Sequence, residues 1–160
     1  MEPKRVALIS VGIIAVVIIS AVGWYLLSPL FIKGDKGNEN IDLNSQEILY
    51  QGKLKDIDSV HKGDGDVYIV SQGGLEKVLF VNVVITNGPD LYVYLSDKTS
   101  FSGTGDSPGS FKSLGTLDYT HGNFSVSIPG GTPLNNFNSV LIYCKQFSVV
   151  FTWAALEAVA

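Results

Sequence analysis

The chain predicts an all-β domain, an antiparallel sandwich or barrel of about 7–9 strands, carried on one N-terminal transmembrane helix. Three observations lead there. Short runs of β-branched and aromatic residues recur from residue 67 to residue 151, each bounded by Gly, Pro, Asn or Asp. No stretch after residue 27 shows an apolar period of 3.6 residues. Before residue 28 lies a single long run without a charged side chain.

That run is VALISVGIIAVVIISAVGWYLL, residues 6–27. At about 1.5 Å of rise per residue it spans roughly 33 Å, close to the ~30 Å hydrocarbon core of a bilayer. Lys4 and Arg5 precede it, and Trp24 and Tyr25 stand at its far edge. Basic residues favour the cytoplasmic side and aromatic rings the interface, so a cytoplasmic N-terminus and an extracytoplasmic C-terminal domain are expected in the cell membrane. The run exceeds the ~7–15 residues of a signal-peptide core, which favours an uncleaved signal-anchor. Ala21-Val22-Gly23 is the small-x-small site of the alternative, a cleaved leader.

Residues 28–46, SPLFIKGDKGNENIDLNSQ, are polar and rich in Gly and Asn, and Pro29 is expected to end the helix. They read as a flexible tether. Residues 47–160 remain for one small domain with a single core. Setting aside Glu2, Lys4 and Arg5, the chain carries 14 acidic and nine basic side chains, a net charge of −5. That balance argues against a nucleic-acid partner, which calls for a basic patch.

Strands are expected at 67–70, 78–81, 83–86, 91–95, 124–128, 140–143 and 147–151. Turn signals separate them: Gly63-Asp64-Gly65, Gly73-Gly74, Asn87-Gly88-Pro89-Asp90, Gly103-Thr104-Gly105, His121-Gly122-Asn123 and Pro129-Gly130-Gly131. Asp90 needs no catalytic explanation in this setting. Gly permits positive φ, Pro fixes φ, and the Asp side chain closes a turn before the next strand.

Cys144 is the only cysteine. An exported domain normally uses cysteines in pairs, so a single one is core filler, a reactive thiol, a ligand or half of an interchain bridge. The period of two puts Val140, Ile142 and Cys144 on one face and Leu141, Tyr143 and Lys145 on the other. Lys145 marks its own face as reaching solvent, so Cys144 is expected to face the core, where free cysteine packs as a small apolar group. A functional thiol would want a nearby cation or an electropositive opening, and a bulge near Gln146 and Phe147 would bring Lys145 closer.

His61 is the natural partner, since imidazole is the commonest metal ligand and titrates near neutral pH. In its Gly- and Asp-rich loop it also fits a solvated turn residue, and His121 reads as a hairpin residue. A type-1 copper site lacks its second sulfur, Met1 being the only methionine, and covalent haem lacks Cys-x-x-Cys-His. Asp56, Asp58, Asp64 and Asp66 form the densest acidic cluster, without the twelfth-position Glu of an EF-hand. No enzyme motif is present.

The segment Asn87-Gly88-Pro89-Asp90-Leu91-Tyr92-Val93-Tyr94-Leu95-Ser96 resembles the NGPDL-x-VYLS core of DM13 domains. In order along the chain, His61-Lys62-Gly63 resembles the family's early His turn, and Ser113-Leu114-Gly115-Thr116-Leu117 its Leu-Gly-x-Leu strand. Residues 139–151, SVLIYCKQFSVVF, resemble its cysteine block, with Tyr143 where many members carry Trp. The likeness covers about residues 48–157.

The resemblance implies a small extracytoplasmic β domain with a single hallmark cysteine and a redox or electron-transfer role. It implies haem or another redox group as cofactor class and a redox protein as partner, and with it Cys144 is the candidate catalytic residue; Cys144, with His61 chosen for its imidazole, is the candidate cofactor-binding pair. The rival reading is a surface-binding or adhesive module in which Cys144 is core packing. Neither reading fixes the oligomeric state.

Overall fold

A computed structural model describes residues 3–31 and 35–159 of the chain. The described residues fall into two units, an N-terminal helix and a β domain. The helix, α1 (Pro3–Phe31), is long and apolar enough over Ile9–Leu26 to cross a membrane, and its apolar side chains there are exposed. It runs past Pro29, which was expected to stop it. A proline removes the N–H that would bond the carbonyl four residues back. Here the Ser28 hydroxyl donates to that carbonyl, Tyr25 O, at 3.3 Å and replaces the missing bond.

The second unit is the expected all-β fold, resolved as a sandwich of two sheets with no closed barrel. Its strands are β1 (Lys36–Asn38), β2 (Glu47–Lys53), β3 (Lys55–Asp56), β4 (Gly63–Gln72), β5 (Leu75–Ile85), β6 (Leu91–Ser96), β7 (Phe111–Thr116), β8 (His121–Ser127), β9 (Ser139–Cys144), β10 (Val149–Ala155) and β11 (Glu157–Ala158). One sheet runs β1-β8-β5-β4-β2-β11 and the other β3-β10-β9-β6-β7. All pairings are antiparallel except β1 on β8.

Strand β1 lies within the stretch read as a tether, of which residues 32–34 are outside the described residues. Its pairing depends on Gly122, at φ 90°, where a Cβ would strike the Gly37 carbonyl oxygen. Two strands expected at 78–81 and 83–86 are one strand, β5, broken by a bulge at Asn82. Asn82 takes φ 52°, a value Asn tolerates, and its freed N–H donates to the Asn123 side-chain oxygen at 2.7 Å.

The core lies between the sheets. Val67, Ile69, Val78, Phe80, Val83 and Phe124 of one sheet meet Val93, Leu95, Val140, Ile142 and Cys144 of the other. Phe80 and Phe124, directly paired across β5 and β8, stack with ring centroids 4.7 Å apart. The outer face of the five-stranded sheet is partly covered as well. The loop 97–110 folds over it, with Phe101 against Trp153 and the Val150 N–H donating to Thr104 O at 2.8 Å. Leu141 is therefore fully buried although it points away from the core.

Candidate functional site

Three segments meet at one end of the sandwich: the turn 86–90, the turn joining β9 to β10, and the loop 56–62. Alternation along β9 gives the inward face to Val140, Ile142 and Cys144, as the period of two predicts, and Cys144 has no exposed surface. Tyr143 and Leu141 take the other face. The expected strand at 147–151 begins later, at Val149, because Lys145 to Ser148 form a tight turn with Ser148 at φ 55°. Cys144 pairs with Val149 across that turn and with Leu91 on its other side. The irregularity of β10 falls between Val150 and Thr152.

The Cys144 thiol donates to the Pro89 carbonyl oxygen, Sγ to O 2.9 Å. Burial pushes its pKa up, the N–H groups of Phe147 and Gln146 pull the other way, and the Asp90 charge adds to the rise. Burial prevails, so at neutral pH the sulfur is a thiol. The turn that presents Pro89 O is fixed on every side. The Gly88 N–H donates to Asn87 Oδ1 at 3.0 Å, Asp90 takes φ 57°, and the Lys145 N–H donates to Asp90 O at 3.0 Å. Gly88 is required by contact: a Cβ there would overlap the tip of the Phe151 ring.

Phe151 also meets His61, the two rings at 85° with centroids 4.6 Å apart. The Asp58 carboxylate orients that imidazole. It accepts from His61 Nδ1 at 2.9–3.0 Å, from the His61 N–H at 2.6 Å and from the Val60 N–H at 2.7 Å. These bonds hold the Asp58 pKa at about 2, the His61 backbone N–H contributing most. The loop is tied to the neighbouring turn by Thr86 N–H to Lys62 O at 2.9 Å and Lys62 N–H to Thr86 Oγ1 at 3.2 Å.

Cys144 and His61 thus border the same turn from opposite sides, with Phe151 and Gly88 between them. Among the described residues, no group of three or more His, Cys, Asp or Glu side chains is placed to hold a metal ion. A haem iron on Cys144 would need a thiolate with one face open, whereas this sulfur is a buried thiol already bonded to Pro89 O. The residues as folded do not fit that group.

His121 lies apart, its Nδ1 2.8 Å from Thr120 Oγ1. The acidic cluster is largely spent on loop structure. Asp56 Oδ1 accepts from the Gly63 N–H at 3.0 Å, and exposed Asp64 pairs with Lys53 at 3.5 Å. Sequence reasoning overlooked Asp58 as the residue that orients His61. The signal was its position three residues before the histidine, the spacing at which an Asp side chain caps a turn.

No curated protein and no solved structure matches the chain. A family described as Electron transfer DM13 matches residues 53–156, a span that holds Cys144, the turn it bonds and the His61 loop. The chain belongs to the DM13 family of electron-transfer domains.

Proposed function

We propose that the protein is a membrane-tethered electron-transfer domain working outside the cytoplasm, with Cys144 as its redox group. In this reading residues 1–27 anchor the chain, 28–46 connect, and 47–160 form the working domain. Lys4 and Arg5 before the apolar run, with Trp24 and Tyr25 at its end, support the orientation. One observation carries the role of Cys144: a lone thiol whose hydrogen and sulfur are both addressed by backbone. Pro89 O takes the S–H, and the N–H groups of Gln146 and Phe147 stabilise negative charge on sulfur. Such a sulfur is held in one geometry as a thiol. His61, fixed by Asp58 and Phe151, is the adjacent polar group at the same end of the sandwich.

The test is a redox titration, with absorbance spectrum and metal analysis, of the full chain purified from its own host in detergent. Cys144→Ser is expected to remove the redox response while the β-sheet circular dichroism persists. A response unchanged in the folded variant overturns the role of Cys144. Full burial and the upward shift of the thiol support a second reading, a surface-binding module with Cys144 as core packing. A redox-silent wild-type chain would favour it.

A further inference from the structure

The stretch 28–46 is shorter as a connection than its composition suggests. Asp35 O already accepts from the Thr120 N–H at 3.1 Å, and Lys36–Asn38 pairs as β1. The Glu39 N–H donates to Asn123 O at 3.0 Å, and Asp42 caps the turn Leu43–Ser45. The chain is therefore part of the sandwich from Asp35 on, and only residues 28–34 separate it from the apolar run. Residues 28–31 continue the helix and add about 6 Å of rise, and the four chain steps from residue 31 to Asp35 add at most about 14 Å. With the apolar run in a bilayer, Asp35 stays within about 20 Å of the hydrocarbon edge, of which the headgroups fill roughly 6 Å.

Asp35 enters the sandwich at the end that carries Cys144 and His61. Lys36 and Val84 both pair with His121, Gly63 pairs with Ile85, and Leu91 and Val149 both pair with Cys144. The segments 35–36, 56–64, 84–90, 117–121 and 145–148 thus meet there. The opposite end lies roughly 33 Å away, ten steps along β5. Four of the segments raise a large apolar side chain into solvent: Val84 is 64% exposed, Val60 51%, Phe147 49% and Tyr119 38%. Leu75, Phe111 and Val159 are exposed at the opposite end, so exposure alone does not choose between the ends. The point of chain entry does. The same five segments hold six Asp and three Lys, so anionic headgroups would be repelled and attraction to lipid falls to the apolar side chains.

We propose that Val60, Val84, Tyr119 and Phe147 form a lipid-docking rim that rests the site end of the domain on the electrically neutral surface of the bilayer holding its own anchor. The proposal rests on the membrane-tethered reading and adds which end meets lipid, and through which side chains. Aromatic rings are favoured at the headgroup level, and Tyr119 and Phe147 supply them. Phe147 belongs to the turn that follows Cys144, so docking sets the thiol's end of the sandwich against the membrane.

The test uses the full chain in phosphatidylcholine nanodiscs with a gadolinium chelate on a fraction of the headgroups, and amide NMR line broadening as readout. Broadening is expected at Val60, Val84, Tyr119 and Phe147 and not at Leu75, Phe111 and Val159. Lys36 serves as internal reference, because the anchor alone keeps it near the headgroups. Val60→Ser with Phe147→Ser, both at exposed positions, should lower the broadening of Val84 and Tyr119 relative to Lys36 by about twofold or more. Exchanging half of the lipid for phosphatidylserine should weaken the contact as well. Broadening centred on the opposite end, broadening spread evenly over the domain, a ratio to Lys36 unchanged in the double variant, or stronger contact with phosphatidylserine would each overturn the proposal. A chain that fails to enter the nanodisc overturns the membrane-tethered reading and this proposal with it. A chain that enters and shows no broadening at the rim overturns this proposal alone.

Discussion

The Cys144 thiol and the Pro89 carbonyl, 55 residues apart in sequence, are joined by a hydrogen bond of 2.9 Å. That bond ties the β9–β10 hairpin to the turn before β6, both within the span that matches the family. It accounts for a cysteine at this position better than packing alone does. Valine would fill the space and leave the carbonyl without its donor.

Cys144→Ala is therefore expected to cost about 2 kcal/mol in urea unfolding, from lost packing and an unpaired carbonyl together. Cys144→Ser keeps a donor and should cost less. Equal losses in the two variants would show that the bond contributes nothing. In the native wild-type chain a bulky maleimide should label the thiol only after unfolding, and rapid labelling would contradict its burial.

The same thiol makes stability depend on alkaline pH. Its folded pKa is raised, chiefly by burial, above the unfolded value of about 8.5. The folded state then holds the proton more tightly than the unfolded state. Its stabilising effect is complete below about pH 8.5 and is lost as pH rises towards and through the folded value. Unfolding midpoints of the wild type and Cys144→Ser, compared from pH 7 to pH 10.5, should diverge only in the upper half of that range. Parallel curves would rule out the raised pKa.

Gly88 supplies a steric test. A methyl group there overlaps the Phe151 ring, which also supports His61. Gly88→Ala should cost about 1–3 kcal/mol, typical of overpacking a filled site. It should also shift the His61 ring protons in NMR, because Phe151 must move. Gly88→Ala combined with Phe151→Leu should recover part of the loss, and if it recovers none the clash lies elsewhere.

The alternation of β9 was legible in the sequence because one strand face is apolar and a lysine marks the end of the other. The all-β class was legible from the recurring β-branched and aromatic runs, while the choice of sandwich over barrel was not. The burial of Leu141 on the outward face was not, since it depends on the loop 97–110, which has no periodic pattern of its own. Nor were β1, β2 and β11. Their residues are polar or partly exposed, and what makes them strands is pairing with distant partners. At the site, local spacing suggested a cysteine facing the core and a histidine in a loop. The acceptor at Pro89 and the ring of Phe151 between the two residues required the tertiary fold.

Asp58 gives the acid-side counterpart. Its pKa is held at about 2 by N–H groups of His61 and Val60, against about 3.9 in an unfolded chain. The charged form is the one preferred when folded, so its contribution is present above about pH 3.9 and is lost as pH falls through about 2. The carboxylate is at the surface, so the consequence is local: the 56–62 loop should loosen and His61 should leave Phe151 while the core persists. Carboxyl-carbon NMR should place the Asp58 midpoint near 2, with the His61 ring-proton shifts following the same curve. Asp58→Asn should produce the loosened loop at neutral pH, because the amide nitrogen cannot accept what the second carboxylate oxygen accepts. A midpoint near 3.9, or His61 shifts unchanged in Asp58→Asn, would show that the histidine is held by Phe151 alone.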